Sequence, residues 1–148
     1  MLARCILSVL IVVGIASRAN AGANAERQCP TLPNGGGFVW QYSQGPDFAV
    51  CYAQKHQQSA QSQLIGVYIG FAPDFHPDPS LVKQHGAIEG VAVEWYKKQP
   101  SDSEFKVGVE TLHRVGRATV HVWALAQDEQ SLSDLIKVVE KLTFENTR

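Results

Sequence analysis

Asp74, His76 and Asp78 alternate along the stretch YIGFAPDFHPDPS, residues 68–80, interleaved with Pro73, Pro77 and Pro79. In a fully extended chain these three side chains point to one side, and two carboxylates with an imidazole can ligate a divalent metal. His85, a little further on, would complete such a set. The prolines oppose this geometry. Each fixes its own φ, and Ala72, His76 and Asp78, each preceding a proline, are pushed toward extended or polyproline backbone. A polyproline helix turns every three residues and scatters alternate positions around its axis. With no recognised ligand spacing, neither a metal nor another cofactor is expected. A metal- or small-ligand-binding protein or enzyme using Asp74, His76, Asp78 and His85 stands as the alternative.

The same stiffness suits recognition. A loop held by prolines loses little entropy on ordering, and rigid aromatic anchors carry much of the energy of an interface. Asp74, Phe75, His76 and Asp78, with Tyr68 and Tyr96 nearby on strands, therefore form the expected partner-binding surface. The competing expectation is that Phe75 folds back onto the protein. Phe71 is expected to pack inward as the last core residue of its strand.

Other constellations carry less. Cys51 with His56 has the types of a nucleophile and its base, but an exported thiol with an available partner more often forms a disulfide. His113 and His121 flank the Val115-Gly116 turn, where a suitable register would bring them together. Glu94 and Glu110 would make a carboxylate pair on neighbouring strands, although charged residues on a solvated sheet face are commoner. There is no G-x-S-x-G elbow, H-E-x-x-H, phosphate loop or dinucleotide fingerprint. The glycines at 35–37 lead into a strand and present no helix N-terminus to phosphate. No catalytic residue is assigned, and an enzyme is the minority expectation.

The compartment is read from the first residues. MLARCILSVLIVVGIASRANAGANAE has Arg4 ahead of an apolar run and two A-x-A patterns, at 19–21 and 23–25. These are the parts of a cleavable secretory signal peptide over residues 1–25, with an apolar core well short of the ~20 residues that span a bilayer. The expected protein is periplasmic or secreted, with no stable membrane insertion after cleavage. The leader carries Arg4 and Arg18 and no acid, so its removal takes the net charge from −1 to −3. The basic residues are scattered, which argues against nucleic acid as a partner. Of three cysteines, Cys29 and Cys51 remain and are expected to form a disulfide.

Positioning these residues falls to six runs rich in β-branched and aromatic residues, at 38–44, 47–54, 64–71, 88–97, 105–114 and 117–126. Gly45-Pro46 and Val115-Gly116 mark hairpins. The last element, SLSDLIKVVEKL, repeats Leu132, Leu135, Ile136, Val139 and Leu142 at helical spacing, with Ser131 and Asp134 resembling a capping box. The expected fold is α+β: an antiparallel sheet of about six strands with the C-terminal helix on one face, a two-layer sandwich within a single domain, residues 26–148. One helix leaves the other sheet face to loops or to a partner. The expected function is a small exported non-catalytic binding protein, an inhibitor or immunity-type partner of another envelope or secreted protein being one form. A structural subunit of an envelope assembly is the further alternative.

Overall fold

The β-branched runs pair as expected, and one strand more than expected joins them. The structure is a computed structural model and describes residues 28–34, 36–55 and 62–145. The strands are β1 (Val39–Gln44), β2 (Ala49–Lys55), β3 (Gln63–Gly70), β4 (Val82–Ile88), β5 (Val91–Lys97), β6 (Val107–Val115) and β7 (Ala118–Ala126). They form a seven-stranded antiparallel sheet in the order β1-β2-β3-β7-β6-β5-β4. A 3-10 turn, Pro79–Leu81, precedes β4, and the helix α1 (Glu129–Val139) follows β7. The expected leader, residues 1–25, and His56 lie outside the described residues.

The unexpected strand is β4. Its middle, Lys83-Gln84-His85-Gly86, lacks the β-branched density that marks a strand, and only pairing with β5 makes it one. Glu89 and Gly90 both take positive φ, 50° and 76°, and make the tight turn of the β4–β5 hairpin. Ile88 therefore ends β4 opposite Val91 instead of opening the next strand.

The sheet is two meanders, β1-β2-β3 and β4-β5-β6-β7, joined where β3 meets β7. The chain leaving β3 must pass over β7, β6 and β5 to reach the far edge. Residues 71–81 make that crossing.

α1 covers the opposite face. Its N-cap is Asp128, whose carboxylate accepts from the Ser131 backbone N–H at 2.8 Å and the Ser131 hydroxyl at 3.1 Å. The expected Ser131–Asp134 box is not used, because the helix starts three residues earlier, with Asp128 as its N-cap; Asp134 instead pairs with Lys137 at 2.8 Å. Leu132, Leu135, Ile136 and Val139 are buried as the periodicity requires. They meet Cys51, Ile65, Val67, Val109, Val120 and Val122 from the sheet, with Trp95 and Phe144 fully enclosed. The sulfurs of Cys29 and Cys51 lie at disulfide distance, 2.10 Å, inside this core. That pairing overturns the nucleophile reading of Cys51.

Three further expectations are corrected by register. β3 ends at Gly70, so Phe71 starts the crossing and is 68% exposed instead of buried. The Gly116-Arg117 turn pairs Val115 with Ala118, which sets Leu112 opposite His121. His113 and His121 therefore occupy opposite faces and do not meet. Glu110 stands opposite Tyr96, not Glu94, and the two glutamates bond to different partners.

Candidate functional site

The face away from α1 can be read across the register. At one level β2, β3, β7, β6 and β5 contribute Tyr52, Gly66, Trp123, Glu110 and Tyr96. The next level brings Val50, Tyr68, His121 and Leu112 side by side. Side chains alternate along each strand, so placing Cys51 and Ala53 in the core commits Tyr52 to this face.

Glycine lets these rings lie down. A Cβ on Gly66 would stand 1.9 Å from Cε2 of Trp123, so the indole lies directly over the Gly66 backbone. Tyr52 meets that indole edge-on, with ring centroids 5.7 Å apart. Gly70 does the same for Tyr68, whose hydroxyl would be 2.4 Å from an added Cβ, and Tyr68 stacks on Phe48 at 5.5 Å. Rings held flat over glycines expose their faces and leave a trough.

Beside the trough sits a charged knot. Glu110 is 8% exposed, and its Oε2 accepts from Lys98 Nζ at 2.7 Å and faces His121 Nε2 at 3.0 Å. A carboxylate only accepts, so Nε2 carries the proton of that contact. Burial is the largest influence on the Glu110 carboxyl and pushes it up. The hydrogen bonds from His121 and Lys98, with the charges of both, outweigh burial and hold it below the ordinary glutamate value. His121 is sandwiched between Phe75, stacked at 5.0 Å, and Trp123, tilted at 5.0 Å.

Phe75 thus turns inward. It is half-buried, lies on His121 and meets Tyr96 edge-on at 5.6 Å. The crossing of residues 71–81 over β7 and β5 places Phe75, mid-loop, above His121 and Tyr96, while Phe71 and Leu81 at its ends are exposed. Tyr96 is buried below, its hydroxyl donating to Glu94 at 2.5 Å, a bond that raises the phenol above its usual range. Of the expected partner surface, Asp74, His76 and Asp78 are exposed, Tyr68 is half-buried, and Tyr96 and Phe75 are covered or partly covered.

The polar loop residues have local duties. Asp78 accepts from the Ser80 backbone N–H at 2.9 Å and the Ser80 hydroxyl at 2.8 Å, which lowers its carboxyl. His76 Nδ1 bonds the Asp74 carbonyl at 2.9 Å, and His85 on β4 faces Glu94 at 4.0 Å. Among the described residues no three His, Cys, Asp or Glu side chains converge as a metal site.

The trough is a groove of about 790 Å³. Tyr52, Tyr68, Trp123 and Leu64 line its floor, Asp47 and Phe48 one wall, and Lys98, Asp102 and Phe105 another. A shallower depression of about 290 Å³ shares Asp47 and Phe48 and extends to Phe71. A separate cavity of about 610 Å³ by the α1 N-terminus is lined by Lys55 and Gln63, which flank residues 56–61, outside the described set. Phe48, Tyr52, Lys98, Asp47 and Asp102 escaped the sequence reading, whereas Asp74 and Tyr68, which also line the groove, were in it. Only Tyr52 had a usable signal, its alternation with Cys51.

No family model matches the chain, and no curated protein matches it. Fold and site together define an α+β sandwich with a helix on one face and an aromatic groove on the other. Among the described residues no helix is long and apolar enough to cross a membrane.

Proposed function

We propose that this chain is a small exported, non-catalytic binding protein whose helix-free sheet face engages another envelope or secreted protein. One observation carries the reading: Phe48 and Tyr52 are 36% and 40% exposed and both line the groove. Aromatic side chains left in water cost hydrophobic free energy, and a row of them bordering a groove is the pattern of an interface centre. An inhibitor or immunity-type role against an exported enzyme is the concrete form.

The test is an affinity capture from envelope and secreted fractions of the protein's own source, using oxidised protein. The parent is compared with Phe48→Ser/Tyr52→Ser and with Phe75→Ala/His76→Ala. A stoichiometric partner kept by the parent and lost by the first variant supports the reading. Equal retention by all three proteins removes the groove from the interface. Capture of nothing, over a range of concentrations, overturns the binding function.

A further inference from the structure

The charges around the groove are one-sided. Its walls carry Asp47 from the β1–β2 turn, Asp74 from the crossing loop and Asp102 from the β5–β6 connection, all exposed. Among the described residues, no cation pairs with any of the three. The Asp102 carboxylate accepts from the Glu104 backbone N–H at 2.9 Å. The basic side chains in the lining are Lys98 and His121, and both are tied to Glu110. The Lys98 charge is offset by the Glu110 carboxylate, so with Asp47, Asp74 and Asp102 on its walls the groove as a whole presents negative charge. Its floor is aromatic, with the Trp123 indole spread over Gly66 beside Tyr52.

An electron-rich floor below unpaired carboxylates selects a cation. Aromatic faces attract a guanidinium or ammonium through their quadrupole, and Trp does so best. Arginine fits better than lysine, because its planar group stacks on a ring while its N–H fork donates to carboxylates at the edge.

We propose that the groove receives an arginine side chain from an exposed segment of the partner protein, its guanidinium held over the aromatic floor between walls that carry Asp47, Asp74 and Asp102. This rests on the binding function proposed above and adds the chemistry of the partner. Phe48 and Tyr52, exposed along the groove, give the apolar flanks of that segment a place to sit.

The test uses the full mature protein, isotope-labelled, and the peptide Ac-Gly-Ser-Arg-Ser-Gly-NH₂. The control peptide replaces arginine by citrulline, which has the same shape and no charge. The Trp123 indole N–H resonance reports occupancy. The expected result is a saturable shift with the arginine peptide and at least fivefold weaker binding of the citrulline peptide. Binding should also weaken at least fivefold in Asp47→Asn/Asp74→Asn, whose amide spectrum checks that the fold is kept, and should fall with added salt. Equal shifts with both peptides, no shift at all, or an unaffected double variant overturns the proposal. Its failure is separable from failure of the binding function: a partner captured through Phe48 and Tyr52 while the arginine peptide is ignored removes the cation alone. Arginine binding with no captured protein removes the protein source instead.

Discussion

Trp123 lies across Gly66, the two directly opposite each other on β7 and β3, so closely that a Cβ on the glycine would fall 1.9 Å from the indole. The groove floor exists because this position has no side chain. Gly66→Ala must displace the indole, and overpacking of this kind costs about 1–3 kcal/mol. Urea denaturation of Gly66→Ala, Trp123→Ala and the double variant measures it. The two changes should be strongly non-additive, with Trp123→Ala relieving the alanine clash. Simple additivity would show that the indole does not depend on the glycine.

Glu110 ties Lys98 and His121 together under the crossing loop. Its carboxyl is held below the ordinary value in the folded protein. A depressed carboxyl contributes stability that is complete above the unfolded-state value, about 4.3, and is lost as pH falls through the lower folded value. Glu110→Gln is expected to cost about 1–3 kcal/mol at neutral pH. That difference should shrink on acidification below the ordinary glutamate range. Unfolding curves between pH 2.5 and 7 check it, and a cost independent of pH would rule out the linkage.

The disulfide closes a loop between positions 22 residues apart and ties the N-terminal segment to β2. The same segment is held where Trp40 Nε1 donates to the Pro30 carbonyl at 2.6 Å, and where Thr31 bridges to Thr143. Cys29→Ser/Cys51→Ser should lower stability by about 3 kcal/mol, as the loop-entropy relation predicts. Reductant should lower the parent's melting temperature to that of the variant and leave the variant unchanged.

Glu89 sits in the β4–β5 turn with φ 50°, where few residues but glycine and asparagine are comfortable. Its carboxylate accepts from the Phe144 backbone N–H at 2.9 Å and faces His113 Nε2 at 3.5 Å. His113 is buried, and among the described residues its Nδ1 has no hydrogen-bond partner. Removing this acceptor should cost about 1–3 kcal/mol in Glu89→Ala. Hydrogen exchange at the Phe144 amide should accelerate in the same variant. Glu89→Gln, which keeps an acceptor, should recover most of the protection.

Much of the fold was legible in period and propensity. Two-residue alternation with β-branched residues marked six strands, helical spacing from Leu132 to Val139 marked the buried stripe of α1, and Cys29 and Cys51 were read as a pair. These signals are local, since backbone geometry repeats within one element. β4 was missed because Lys83 to Gly86 has no strand propensity of its own and owes its state to pairing with β5.

The sequence by itself determined that the chain carries an antiparallel sheet, one covering helix, a disulfide and a stiff loop around Phe75. Strand order was decided only in three dimensions. With β3 beside β7 and β4 at the far edge, the loop after β3 has to cross the open face. That crossing turns Phe75 down onto His121 and leaves Phe71 exposed. Register then put Tyr52, Gly66 and Trp123 in one row, from three strands far apart along the chain. Alternation tells which face a residue takes. Which residues share a row depends on pairings between distant segments, and those are set by the packing of the whole sheet.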